Sequence, residues 1–137
     1  MNTVELKKMI TTYLVTKTKS VFEAEAPAKA SYPYVVYALY NSTTDTNEKR
    51  EDFELIVDIY DNNQFNSQTI DELAGNIDGD GAIVSASGLH RKHYYSAGVL
   101  QADIYRINRQ TILRDAVTEG DNIRHIQLTY DVFSYLV

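Results

Sequence analysis

Three histidines, nineteen carboxylates and no cysteine are the side chains with which this 137-residue chain could do chemistry. His90 and His93 stand three apart, a spacing that can bring two imidazoles to one metal ion. Arg91 and Lys92 lie between them, no third ligand is evident, and the cations oppose a dication. An exposed basic loop is the competing reading. His125 sits in a strand-like stretch, and catalysis there needs a nucleophile and an orienting carboxylate that spacing does not supply. Asp78-Gly79-Asp80-Gly81 opens like a calcium loop. With Asp78 as position 1, however, position 12 is Leu89, where a bidentate Glu belongs, so a plain turn fits better. The six glycines are scattered and form no phosphate loop. Glu51, Glu54, Asp58 and Asp61 line or flank one strand-like segment. Glu54 and Asp58 are four apart, ~13 Å along a strand, too far for the carboxylate pair of a glycosidase. They read as a charged sheet face or the lining of an acidic channel. The sequence assigns no catalytic residue, no metal ligand and no cofactor.

The bulk properties narrow the classes further. One domain is the expectation at this length, large enough to bury about 68% of its unfolded surface. Without cysteine there is no disulfide framework, thiol nucleophile or thiolate zinc site. No apolar run is long enough to span a membrane. The amphipathic start MNTVELKKMI has no signal-peptide core, so a cytosolic origin is expected. The net charge of −6 argues against a DNA-coating protein. That charge is uneven: +2 over 1–44, −9 over 45–80, +4 over 81–114 and −3 over 115–137. The blocks are either separately solvated faces or the two halves of a self-complementary contact between copies. The eleven tyrosines suit half-buried strands and interfaces.

Positioning these groups requires a frame. Residues 3–16 read as a helix, with Leu6, Met9, Ile10, Tyr13 and Leu14 on one face and Asn2–Glu5 as a capping box. Residues 23–32 form a small-residue connector. Tyr34–Tyr40 is a strand that opens after Pro33. The polar run 41–50 is an exposed hairpin tip. Residues 52–60 alternate, with Phe53, Leu55, Val57 and Ile59 toward a core and Glu54, Ile56, Asp58 and Tyr60 away from it. Residues 67–78 read as a second helix, with a Thr69–Glu72 capping box and a stop at Gly79. Residues 82–96 have no clean period, although Ala82-Ile83-Val84 could begin a short strand. Residues 97–107 alternate. Residues 108–121 are irregular, with Ile112, Leu113 and Val117 as anchors. Residues 122–136 form a long strand that sets Ile126, Leu128, Tyr130, Val132 and Leu136 against His125, Gln127, Thr129 and Asp131. The expected fold is α+β: a mainly antiparallel sheet of four to five strands with two helices packed on one face.

Tyr32-Pro33-Tyr34-Val35-Val36-Tyr37, preceded by Ala26-Pro27, resembles the signature of phage tail completion, or tail terminator, proteins. The resemblance extends to the helix before it, the polar tip after it, the strand ending Asp58-Ile59-Tyr60-Asp61, the following helix, and the terminal strand from Arg124 to Val132. Region 82–120 does not align clearly. The resemblance implies a structural virion protein at the head–tail interface, assembled in the host cytoplasm. Its subunits would form a homohexameric ring that caps the tail tube protein and docks the head connector protein, while DNA passes through unbound. On that reading Glu51, Glu54, Asp58 and Asp61 line the lumen, and Asp45, Glu48, Lys49 and Arg50 form a docking loop. Another neck, head–tail connector or minor capsid protein is the nearest alternative. A small α+β enzyme or ligand-binding domain is the more distant one.

Overall fold

The computed structural model describes residues 1–42, 49–62, 66–79, 88–112 and 123–135. Helix α1 spans Thr3–Val15 and buries Leu6, Ile10, Tyr13 and Leu14. Its start is locked by the capping box, with Glu5 N–H donating to Asn2 Oδ1 at 2.8 Å and Asn2 N–H donating to Glu5 Oε2 at 3.0 Å. Strands β1 (Val21–Glu23), β2 (Tyr34–Asn41) and β3 (Arg50–Asp61) follow. Helix α2 spans Gln68–Asp78 and stops at Gly79, which takes the left-handed conformation. Its N-cap is Ser67, which makes no side-chain cap bond, and Thr69 lies inside the helix, so the expected Thr69–Glu72 box does not form. Strands β4 (Lys92–Ser96), β5 (Val99–Ile112) and β6 (Arg124–Tyr135) complete the order.

The strands form a single curled, half-barrel sheet in the order β1-β2-β3-β6-β5-β4. The expectation of four to five mainly antiparallel strands is therefore corrected. Among the described residues there are six, and β1 runs parallel to β2. The two extra strands are the two edges. β1 has three residues, too few to show a period, and β4 keeps most side chains partly wet on both faces, so no alternation marks it. The anchors Leu113 and Val117, the stretch 82–84 and Leu136 lie outside the described residues.

One face of the sheet carries the core. Val35 and Tyr37 of β2, Phe53, Leu55, Val57 and Ile59 of β3, Ile126, Leu128, Tyr130 and Val132 of β6, and Ala102 and Ile104 of β5 are buried against both helices. Tyr37 Oη shares a hydrogen bond with Thr11 Oγ1 at 2.7 Å, and Tyr13 Oη donates to the Ile77 carbonyl at 2.8 Å, tying α1 to the sheet and to α2. No described element covers the opposite face. Because residues paired across antiparallel strands share a side, the register fixes which groups that face displays.

Candidate functional site: the open sheet face

From β2 to β5 the open face is built from the second parity of each strand. Tyr34, Tyr60 and His125 stand in one cross-strand row, and Val36, Asp58 and Gln127 in the next. Ala38, Ile56 and Thr129 follow, then Tyr40, Glu54, Asp131 and Tyr105. Asp52, Phe133, Asp103 and His93 make a further row. Among the described residues, five carboxylates thus share this face with one guanidinium, that of Arg50, and two imidazoles.

An aromatic rib crosses one end. Phe22 meets Tyr34 edge-on at 6.2 Å, Tyr34 stacks on Tyr60 at 5.0 Å, and Tyr60 stacks on His125 at 4.3 Å. Tyr34, Tyr60 and His125 cover each other's faces, so the rib is a packed row rather than a platform for nucleobases, which need a free π-face. Burial pushes the Tyr60 phenol up to about 12, helped by the Asp58 charge. At the rib's end His125 Nε2 bonds Asp58 Oδ1 at 2.6 Å, and Gln127 Nε2 donates to the same oxygen at 3.0 Å.

A second cluster lies toward β4. The buried carboxylate of Asp103 holds His93 Nδ1 on one oxygen and accepts from Tyr135 Oη at 2.8 Å on the other. Tyr135 is pushed up to about 12 by burial and by that bond. Arg50 lies 4.6 Å over the Phe133 ring and pairs with Asp52 at 2.8 Å. Both His–Asp pairs have the orienting half of an acid–base relay. Among the described residues neither histidine bonds a serine or threonine hydroxyl, the nucleophile such a relay would use.

The four carboxylates singled out from sequence separate by parity. Glu54 and Asp58 lie on the open face. Asp58 is engaged by His125 and Gln127, whereas Glu54 sits directly opposite Asp131. Glu51 and Asp61 have the core parity. Glu51 is half-buried and accepts from Asn41 Nδ2 at 3.4 Å. Asp61 is 4% exposed, and its Oδ2 takes no hydrogen bond. Proximity in sequence grouped these two with Glu54 and Asp58, and the register sets them on the other face, because a one-residue step flips it. Asp52, Asp103 and Asp131 join Glu54 and Asp58, and the alternation of strands 97–107 and 122–136 already held the signal for Asp103 and Asp131.

His90 accepts from the Arg106 backbone N–H through Nδ1 at 2.9 Å and is lowered by burial, so it pins a turn to β5. His93 faces Asp103 instead, and the two histidines do not converge. Among the described residues no group of three or more His, Asp or Glu is arranged to hold a metal ion. Asp78 is a buried structural carboxylate that receives Tyr130 Oη at 2.8 Å and Arg106 Nη1. Asp45 and Glu48 of the docking loop lie outside the described residues, while Lys49 lies in the turn before β3 and Arg50 opens that strand. No described helix is long and apolar enough to cross a membrane.

No protein-family model matches the chain, and no curated protein matches it significantly.

Proposed function

We propose that this protein is a structural subunit of a phage neck. It forms a homohexameric ring on the head-proximal end of the tail tube, stops tube growth and offers the head connector a docking surface. The observation that supports this reading most is the composition of the open sheet face. Five carboxylates against one arginine make a surface that repels a phosphate backbone, and the packed tyrosine rib gives it rigidity without a base-stacking platform. Lined this way, a channel would let DNA slide instead of releasing counterions and sticking. The resemblance of the Tyr32–Tyr37 segment to tail completion proteins supplies the ring and its partners. Asp45, Glu48, Lys49 and Arg50 are the docking loop of this proposal.

The test is assembly of tails with and without the protein. With it, tubes should be uniform in length and carry a ring of six-fold mass at one end. Without it, tubes should grow to uncontrolled length. Equal tube lengths in both preparations would overturn the reading. A ring bound to the connector but not to the tube would assign the protein to another neck position.

A further inference from the structure

Among the described residues the sheet ends in two edges: β1 leads into the acids Glu23 and Glu25, and β4 carries Lys92. Among the described strands β1 bonds only to β2, and β4 only to β5. Beside β4 lies a groove of about 540 Å³ against α1, floored by Met1, Met9, Tyr13 and Tyr94. Lysines crowd it. Lys92 of β4 sits 4.6 Å over the Tyr13 ring and 5.3 Å over that of Tyr94, and Lys17 approaches the Tyr13 ring at 5.4 Å. Neither lysine has a carboxylate partner among the described residues. Glu5 at the groove margin is already engaged in the α1 cap. Two uncompensated ammonium groups on one ring are a standing demand for anions, and burial and Lys17 together lower Lys92. Tyr95, the residue before the last of β4, is 65% exposed.

The opposite edge supplies the complement. Phe22-Glu23-Ala24-Glu25 alternates apolar and acidic residues. Glu25 is exposed with no side-chain partner among the described residues, and Glu23 makes only an exposed pair with Lys7 at 2.5 Å. Following the pairing across the sheet, β1 and β4 run in the same direction. Rotation about an axis along the strands therefore brings β1 of one copy to β4 of the next in parallel, as β1 already pairs with β2. Such a contact is heterologous and closes into a ring when the rotation closes.

We propose that β4 of each copy accepts β1 of a second copy by strand addition, with Glu23 and Glu25 of the incoming copy reaching Lys92 and Lys17 at the α1–β4 groove. Phe22 then continues the open face past His93, joining the open faces of successive copies. This deepens the ring reading and rests on it. Strand addition supplies main-chain bonds, and the side chains set the partner. With only three residues in β1 the bonds are few, so assembly is concentration-dependent.

Sedimentation velocity across micromolar to millimolar protein tests the charges. Lys92→Glu and Glu25→Lys should each weaken self-association at least about tenfold, and the double exchange should restore it. Glu25 is exposed, so its variant keeps the test valid if Lys92→Glu perturbs the fold. The chain has no cysteine, so Glu25→Cys with Tyr95→Cys should give a disulfide-linked ladder on oxidation, and Thr69→Cys with Tyr95→Cys should not. Self-association that ignores the charge variants and gives no ladder would overturn the edge pairing and leave the ring reading standing. A monomer at millimolar concentration without a ladder would overturn both.

Discussion

Asp78 ends α2 with a buried carboxylate at the pole where the helix dipole disfavours negative charge. Arg106 and Tyr130 make that position tenable by donating to its two oxygens. Removing the acceptor strands both donors. Asp78→Ala should cost about 3–5 kcal/mol, as for breaking a buried pair, and Tyr130→Phe about 1–3 kcal/mol for one unsatisfied oxygen. Urea unfolding reads both, and a loss below about 1 kcal/mol for Asp78→Ala would mean the cluster contributes little. The tyrosines make a second residue-scale prediction. Burial pushes Tyr60, Tyr94 and Tyr135 up to about 12 and raises Tyr13 and Tyr130 further. A phenol with a folded value above its unfolded value of 10 holds its proton longer in the native state. Its stabilising contribution is complete below pH 10 and is lost as pH rises through the folded value. The urea midpoint should therefore decline between about pH 10 and 12, with tyrosinate absorbance appearing together with unfolding. Full ionisation of all eleven tyrosines near pH 10 in a still-folded chain would contradict this.

The β4–β5 hairpin turns on Ala97-Gly98, both at positive φ, 50° and 79°. Two consecutive positive φ values fit a type I′ turn, whose right-handed match to the strands favours Asn-Gly. Nothing lies within 4 Å of a Cβ placed on Gly98, so Gly98→Ala tests conformation alone and should cost about 1–2 kcal/mol. Ala97→Asn should raise stability by up to about 1 kcal/mol. Gly88 differs, because a Cβ there would lie 2.3 Å from the Asp78 carbonyl and from Gly79 Cα. Gly88→Ala should lower the thermal midpoint more than Gly98→Ala does, and equal losses would show that the α2 end can yield. This turn also marks what the sequence could and could not disclose. α1, α2 and β3 were legible because a capping box, an αL stop and a clean period of two are local signals. β1 and β4 were not, because an edge strand this short is defined by its neighbour and not by its own pattern. The same rule governed the site: Glu54 and Asp58 followed from parity, while Glu51 and Asp61 were joined to them by proximity and fell on the other face.

At the scale of the whole molecule the open face keeps a like-charge pair that the fold does not need. Glu54 and Asp131 are directly opposed on adjacent central strands, and among the described residues no cation pairs with either. Like charges placed this way oppose sheet formation, and an opposite-charge pair in their place contributes roughly 0.2–1 kcal/mol. Glu54→Lys should therefore raise the urea midpoint. Asp58 offers no such gain, because it already accepts from His125 and Gln127, so Asp58→Lys should lower it. The two acids thus separate stability from function. If the acidic face lines a channel for DNA, Glu54→Lys gives a more stable ring that passes DNA more slowly, with the delay relieved by salt, since screening weakens attraction to phosphate. Ejection rates from particles carrying Glu54→Lys, measured at low and high ionic strength beside a urea melt of the isolated protein, make the comparison. A stabilised variant with unchanged, salt-insensitive ejection would place the carboxylate pair away from the DNA path and remove the repulsive lining from the mechanism.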